Sequence, residues 1–134
     1  MTNNIIYNII IIEKRKGLII IGMDFNVYSA RNREVFKHDN WWDSPQVQEE
    51  FYSRKCWDLV EHCSFIPADY EAGTFIELTL ENVEEMIQVS CRYRNYFDSY
   101  EDVPKLCELR DKLEYWKNNP DEAQGRKLYY EYDW

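Results

Sequence analysis

The segment from Gly73 to Phe97 constrains the fold most, because it predicts one β-strand followed directly by one α-helix. Residues 74–79 have the period of two expected of a strand, which puts Ile76 and Leu78 on the face that points into the core. Thr79 is the predicted helix N-cap, because its hydroxyl can accept an orphan backbone N–H of the first helical turn.

The helical half of this segment has an apolar side at the spacing of an α-helix. Carboxylates precede cations along the helix, which suits the direction of the helix dipole. The side chains predicted to face the core are Val83, Met86, Ile87, Ser90, Tyr93 and Phe97.

Two apolar segments near the start of the chain, 4–12 and 18–28, predict a β-hairpin around the basic turn 14–17. The first of these strands is apolar on both faces. A strand of that kind is central in a sheet or lies in a contact between copies, so the hairpin is also a candidate for forming a homo-oligomer.

The remaining elements follow from end signals and periodicity. Ser44 and Pro45 are typical of a helix start, and this helix is expected to run to about His62 or Cys63. Another helix is predicted from near Pro104 to Asn118, and a strand from Arg126 to the end of the chain.

The order ββαβααβ, without regular βαβ repeats, predicts an α+β fold. We expect a largely antiparallel sheet of about four strands, with about three helices. The chain of 134 residues is expected to form one domain, spanning residues 1–134.

The connector from Ser29 to Asp43 carries a pair of tryptophans, Trp41 and Trp42, and is compatible with a short helix. Both rings are expected to cover the core. The alternative is that they form a contact surface, since tryptophan is enriched where proteins bind one another.

The residues offer no catalytic or cofactor motif. With only four glycines the chain has no phosphate-binding loop, and it has neither a GxSxG nor an HExxH motif. Its four cysteines show no CxxC pairing, and buried free thiols are the favoured interpretation. We therefore expect no cofactor, no metal site and no enzymatic activity.

Nearly all of the net negative charge lies in one quarter of the chain. Between residues 57 and 90 there are eight acids and no Lys or Arg, within a net charge of -9. The simplest interpretation is a solvated face that keeps the protein soluble. The functional interpretation is a surface that binds a basic partner, for which the candidate residues are the acids and one aromatic anchor: Asp58, Glu61, Asp69, Tyr70, Glu71, Glu77, Glu81, Glu84 and Glu85.

The expected partner is a basic protein that itself handles nucleic acid, because such proteins present clustered Lys and Arg. Direct binding of nucleic acid is disfavoured by the acidic isoelectric point of about 4.7. No apolar segment reaches the roughly 20 residues of a membrane helix, and no signal peptide is evident, so a cytoplasmic protein without a membrane partner is expected.

Two alternatives remain open. A divalent-metal-dependent nuclease or phosphohydrolase could use Asp69, Glu77 and Glu81, although the acid-x-Lys pattern of such enzymes is absent. An oligomer joined through the N-terminal hairpin could sequester a small ligand such as a nucleotide.

In size, charge and aromatic content over its whole length, the chain resembles the small acidic accessory proteins of bacteriophages, among them inhibitors of restriction or CRISPR defence. It is also similar to the immunity proteins that neutralise toxic nucleases. The resemblance implies an inhibitor that occupies the basic surface of a host defence or toxin protein, and it involves no shared motif.

Overall fold

The computed structural model describes residues 24–54, 57–93 and 101–133, apart from the side chain of Trp57. Within these residues four strands form one sheet in which all neighbours are antiparallel, in the order β2-β1-β4-β3. The strands are β1 (Asp24–Ala30), β2 (Gln48–Arg54), β3 (Ile76–Leu78) and β4 (Lys127–Asp133).

Four α-helices accompany the sheet in the described part of the chain. They are α1 (Trp57–His62), α2 (Leu80–Arg92), α3 (Val103–Asn118) and α4 (Pro120–Ala123). Two short 3-10 helices lie at Arg33–Lys37 and Trp41–Asp43. The α+β prediction is confirmed, and the order of elements agrees approximately with the predicted one, with the short α4 added.

The main core lies between one face of the sheet and the helices. Phe25 and Val27 of β1 and Tyr130 of β4 are fully buried there against Met86 of α2 and Leu106 of α3. Burying large apolar side chains of this kind stabilises a fold by roughly 1.5–3 kcal/mol each. This layer therefore fixes the helices on the sheet.

A smaller aromatic cluster covers part of the opposite face of the sheet. Phe36 stacks on Phe75 with ring centroids 4.1 Å apart, and Trp41 packs edge-on against Tyr28 at 4.9 Å. Of the tryptophan pair expected to cover the core, Trp41 does pack inward. Trp42 instead leaves 61% of its surface exposed.

The strand-to-helix segment behaves as predicted. Thr79 accepts a hydrogen bond from the backbone N–H of Asn82, and the Asn82 side chain accepts one from the backbone N–H of Thr79, which completes a capping box. Leu78 is buried, and so are Val83 and Met86 on the inner side of α2. Phe97, the last predicted member of this side, lies outside the described residues.

The predicted helix from Ser44 to His62 is wrong over most of its length. Residues 48–54 form strand β2, and α-helix covers 57–62 among the described residues of this range. Phe51 and Ser53 are buried while Tyr52 is exposed, which is the alternation of a strand half-covered by a core. Pairing with β1, in which Phe51 stands opposite Val27, therefore outweighs the local helix-start signal.

The elements near the two ends of the described chain match their predicted limits to different degrees. Helix α3 begins and ends near its predicted limits, with Leu106 and Leu109 buried. Strand β4 is central, so even Glu131 on its second face is buried. Of the predicted N-terminal hairpin, residues 24–28 lie in β1, and segments 4–12 and 18–23 lie outside the described residues.

A candidate acidic interaction surface

The outer side of α2 carries three glutamates, Glu81, Glu84 and Glu85, away from its buried side. Positions three and four apart lie on the same side of a helix, so these carboxylates are neighbours. They line a surface hollow of about 340 Å³. We call it the acidic hollow, and its lining residues are His62, Glu81, Glu84, Glu85, Gln88, Val89 and Arg92.

Negative charge dominates this hollow. Its three carboxylates face one guanidinium, that of Arg92. The imidazole of His62 stacks on the ring of Tyr93 at 3.9 Å, and the pKa of His62 is lowered by burial and then by Arg92. Because that pKa lies below its ordinary value near 6.5, His62 adds no positive charge at neutral pH.

The three glutamates are held in different ways. The carboxylate of Glu85 accepts hydrogen bonds from the backbone N–H of Ser64 at 2.6 Å and from its hydroxyl at 2.8 Å. Ser64 follows α1, so Glu85 ties the end of α1 to α2. Glu81 and Glu84 are exposed, and neither forms an ion pair within the described part of the chain.

The other exposed acids predicted for this region do not line the hollow. Glu61 is exposed next to His62, with its carboxylate 4.0 Å from the imidazole Nε2, and extends the negative rim. Asp69 and Glu71 are exposed in the loop between α1 and β3 and do not line the hollow.

Two of the predicted acids, Asp58 and Glu77, lie elsewhere. Asp58 is fully buried in the first turn of α1. Glu77 pairs in register with Tyr129, whose ring belongs to the cluster on the opposite face of the sheet, and lies 3.7 Å from the ammonium of Lys127. Neither residue lines the acidic hollow.

The predicted aromatic anchor, Tyr70, is part of the packing. Its hydroxyl donates to the carbonyl of Thr74 at 2.5 Å and accepts from the backbone N–H of Tyr132 at 3.1 Å. The two tyrosine rings stack 4.1 Å apart, and burial raises the pKa of Tyr70. The candidate surface is therefore narrower than the sequence suggests, and its members are Glu61, Glu81, Glu84 and Glu85.

The trio Asp69, Glu77 and Glu81 considered for a metal is not brought together. Glu77 lies beside Lys127 of β4 and does not line the acidic hollow, and Glu81 lines that hollow without Asp69. Across the residues that the structure describes, no group of three or more His, Cys, Asp or Glu side chains could hold a metal ion.

A second acidic group, which the sequence did not predict, lies on the sheet face opposite the helices. Glu131 is buried there and accepts a hydrogen bond from Asn26 at 2.7 Å, and Tyr52 donates to Asp24 at 2.8 Å. Burial raises the pKa of Glu131, and the charges of Asp133 and Asp24 raise it further against the lowering effect of Asn26. Because β1 and β4 are distant in sequence, no local pattern signals this cluster.

Comparison with known proteins found no match to a family model, to a curated protein or to a solved structure. Among the described residues, none of the helices combines the length and the apolar character that crossing a membrane requires.

Proposed function

We propose that this chain is a non-enzymatic binding protein that uses the acidic hollow to occupy a basic surface of a partner protein. One observation carries the proposal: Glu81, Glu84 and Glu85 line the same hollow, where Arg92 is the one lining residue charged positively at neutral pH. Glu61 adds to this field from the rim.

A surface with one sign of charge attracts its complement over roughly a Debye length, about 8 Å at physiological ionic strength. Individual exposed ion pairs contribute little, at most about 1 kcal/mol each, so several must act together. A partner suited to this surface carries several closely spaced Lys or Arg side chains.

Clusters of that kind are typical of proteins that bind nucleic acid, because each cation contacts a phosphate. Carboxylates that fill such a site compete with the phosphates. We therefore infer that the partner handles nucleic acid and that binding inhibits it. The compositional resemblance to phage anti-defence proteins and to immunity proteins supports the same inference.

Affinity capture with charge-reversed variants tests the proposal. Glu81→Lys combined with Glu84→Lys reverses two exposed charges of the hollow without touching the bonded Glu85. The matched control combines Glu108→Lys with Glu114→Lys, which makes the same charge change at exposed positions of α3. Circular dichroism of all three proteins verifies that the fold is retained.

We expect the wild type and the α3 control to retain the same basic protein at low salt, and the hollow variant to lose it. Raising the salt concentration is expected to release it from the wild type, because exposed charges are screened. Equal retention by all three proteins contradicts the proposal, and so does capture that includes no basic protein.

A further inference from the structure

A second concave site lies where α3 and α4 meet β3 and β4. It has a volume of about 350 Å³, and we call it the basic cleft. Its walls include Trp116 and Leu113 of α3 and Leu80 of α2, so much of the lining is apolar. Pockets of at least about 300 Å³ with apolar walls and a few polar groups are typical of small-ligand sites.

The charge of this cleft is opposite to that of the chain as a whole. Three cations line it, Lys117, Arg126 and Lys127, against one carboxylate, that of Glu77. The carboxylate lies 3.7 Å from the ammonium of Lys127. Lys117 forms no ion pair within the described residues. In a chain with a net charge of -9, this local excess of cations suits a small anion.

A buried carboxylate orders one side of the cleft. The guanidinium of Arg126 donates to the hydroxyl of Ser29 at 2.8 Å, and that hydroxyl donates to Glu50 at 2.6 Å. Ser29 is fully buried, and the side chain of Glu50 is 8% exposed. Because hydrogen bonds to ionised groups are strong and directional, Arg126 is held in one orientation.

The same carboxylate also reaches the aromatic wall. Lys112 donates to the second oxygen of Glu50 at 2.5 Å, and its ammonium lies 5.8 Å from the centre of the Trp116 ring. Glu50 is therefore linked to the cation Arg126 through Ser29 and to the ring of Trp116 through Lys112. This pre-organisation reduces what binding a ligand would cost in ordering the side chains.

We propose that the basic cleft binds a small phosphomonoester that carries a flat apolar group. The phosphate lies among Lys117, Arg126 and Lys127, and the flat group packs against Trp116. A phosphomonoester is favoured over a carboxylate because it carries about 1.5 to 2 negative charges at pH 7, which matches several cations. A nucleic acid polymer is disfavoured, because its further phosphates would meet the acidic remainder of the surface.

Titration of the full chain with adenosine monophosphate tests the proposal, using adenosine and inorganic phosphate as the two half-ligands. Calorimetry gives the dissociation constants, and the indole N–H signal of Trp116, assigned with Trp116→Phe, reports on the site. We expect the monophosphate to bind at least about tenfold more tightly than either half-ligand, because each contributes only part of the contacts.

Variants locate the site. Lys117→Ala and Lys127→Ala each remove one exposed cation, and each is expected to weaken binding about tenfold. Lys105→Ala is the control, since it removes an exposed lysine from the first turn of the same helix and should leave binding unchanged. The proposal is overturned if the monophosphate fails to bind at about 1 mM, if adenosine binds equally well, or if all three lysine variants behave alike.

Discussion

The acidic hollow and the basic cleft differ in how their charges are assembled. The glutamates of the hollow come from a single helix, and in the described part of the chain Glu85 is the one fixed by hydrogen bonds to another element. The cations of the cleft come from α3 and the start of β4, and Arg126 is tied through Ser29 to the buried Glu50. Attraction of a large basic surface requires mainly negative charge, whereas recognition of a small ligand requires side chains held in fixed positions.

The largest effect on stability is expected from removal of Glu50, which orders the basic cleft. Glu50→Ala leaves Ser29 and Lys112 without their carboxylate in a mostly buried setting, and should lower the free energy of unfolding by about 2 kcal/mol. The loss is moderated because Lys112 is 39% exposed and can be rehydrated. Urea denaturation provides the measurement.

The neighbouring Glu49 provides the control for this comparison, since it is exposed on the same strand. Glu49→Ala should change the free energy of unfolding by no more than about 0.5 kcal/mol. Equal effects of the two variants would show that the network around Glu50 does not order the cleft.

A smaller effect is expected within the acidic hollow. Glu85→Ala removes both hydrogen bonds to Ser64 and should destabilise the fold by about 1 kcal/mol, at the low end for bonds to a charged group because the site is exposed. Glu84→Ala removes an unbonded carboxylate one position away and should have almost no effect. If urea denaturation gives the two variants the same stability, Glu85 does not anchor α1 to α2.

The smallest predicted effect is a pH dependence from His62. Its pKa in the folded protein is lowered by burial and by Arg92, so the unfolded chain binds the proton more tightly. The free energy of unfolding should therefore fall as the pH drops through about 6.5 towards the lower folded pKa, and be independent of this group at higher pH. Partial exposure keeps the effect small, because solvent screens the charge.

Comparing the wild type with His62→Gln at about pH 7.5 and about pH 5.5 isolates this contribution. Lowering the pH should reduce the free energy of unfolding of the variant less than that of the wild type. A wild type that instead gains stability from His62 in acid would mean that the glutamates of the hollow and Glu61 outweigh burial and Arg92. That outcome would make the negative potential of the hollow stronger than the geometry implies.

The sequence predicted best what is determined locally. The capping residue Thr79, the buried side of α2 and the limits of α3 all follow from end signals and helical periodicity within a few residues. It failed at residues 44–54, where pairing with β1 decides the structure. Ser44 and Pro45 give a helix-start signal there, although the strand they precede pairs with residues about 20 to 30 positions earlier in the chain.

In the candidate site, too, the sequence predicted local features and missed those that depend on distant residues. The glutamates of α2 could be placed together because they share one helix, but the burial of Asp58 and the orientation of Glu77 depend on tertiary packing. The basic cleft was missed entirely. Its ordering contacts join Ser29 to Glu50 and to Arg126, which are 21 and 97 residues away in sequence.

We infer that negative potential at the acidic hollow attracts cations and that this surface is separate from the basic cleft. Titrating the isotope-labelled chain at low salt with a decalysine peptide and, separately, with adenosine monophosphate tests it by nuclear magnetic resonance. We expect the peptide to shift the amides of residues 81–92 and the monophosphate to shift those of residues 113–128. Neither probe should affect the other set. Peptide shifts spread evenly over the surface, or centred away from α2, would contradict it.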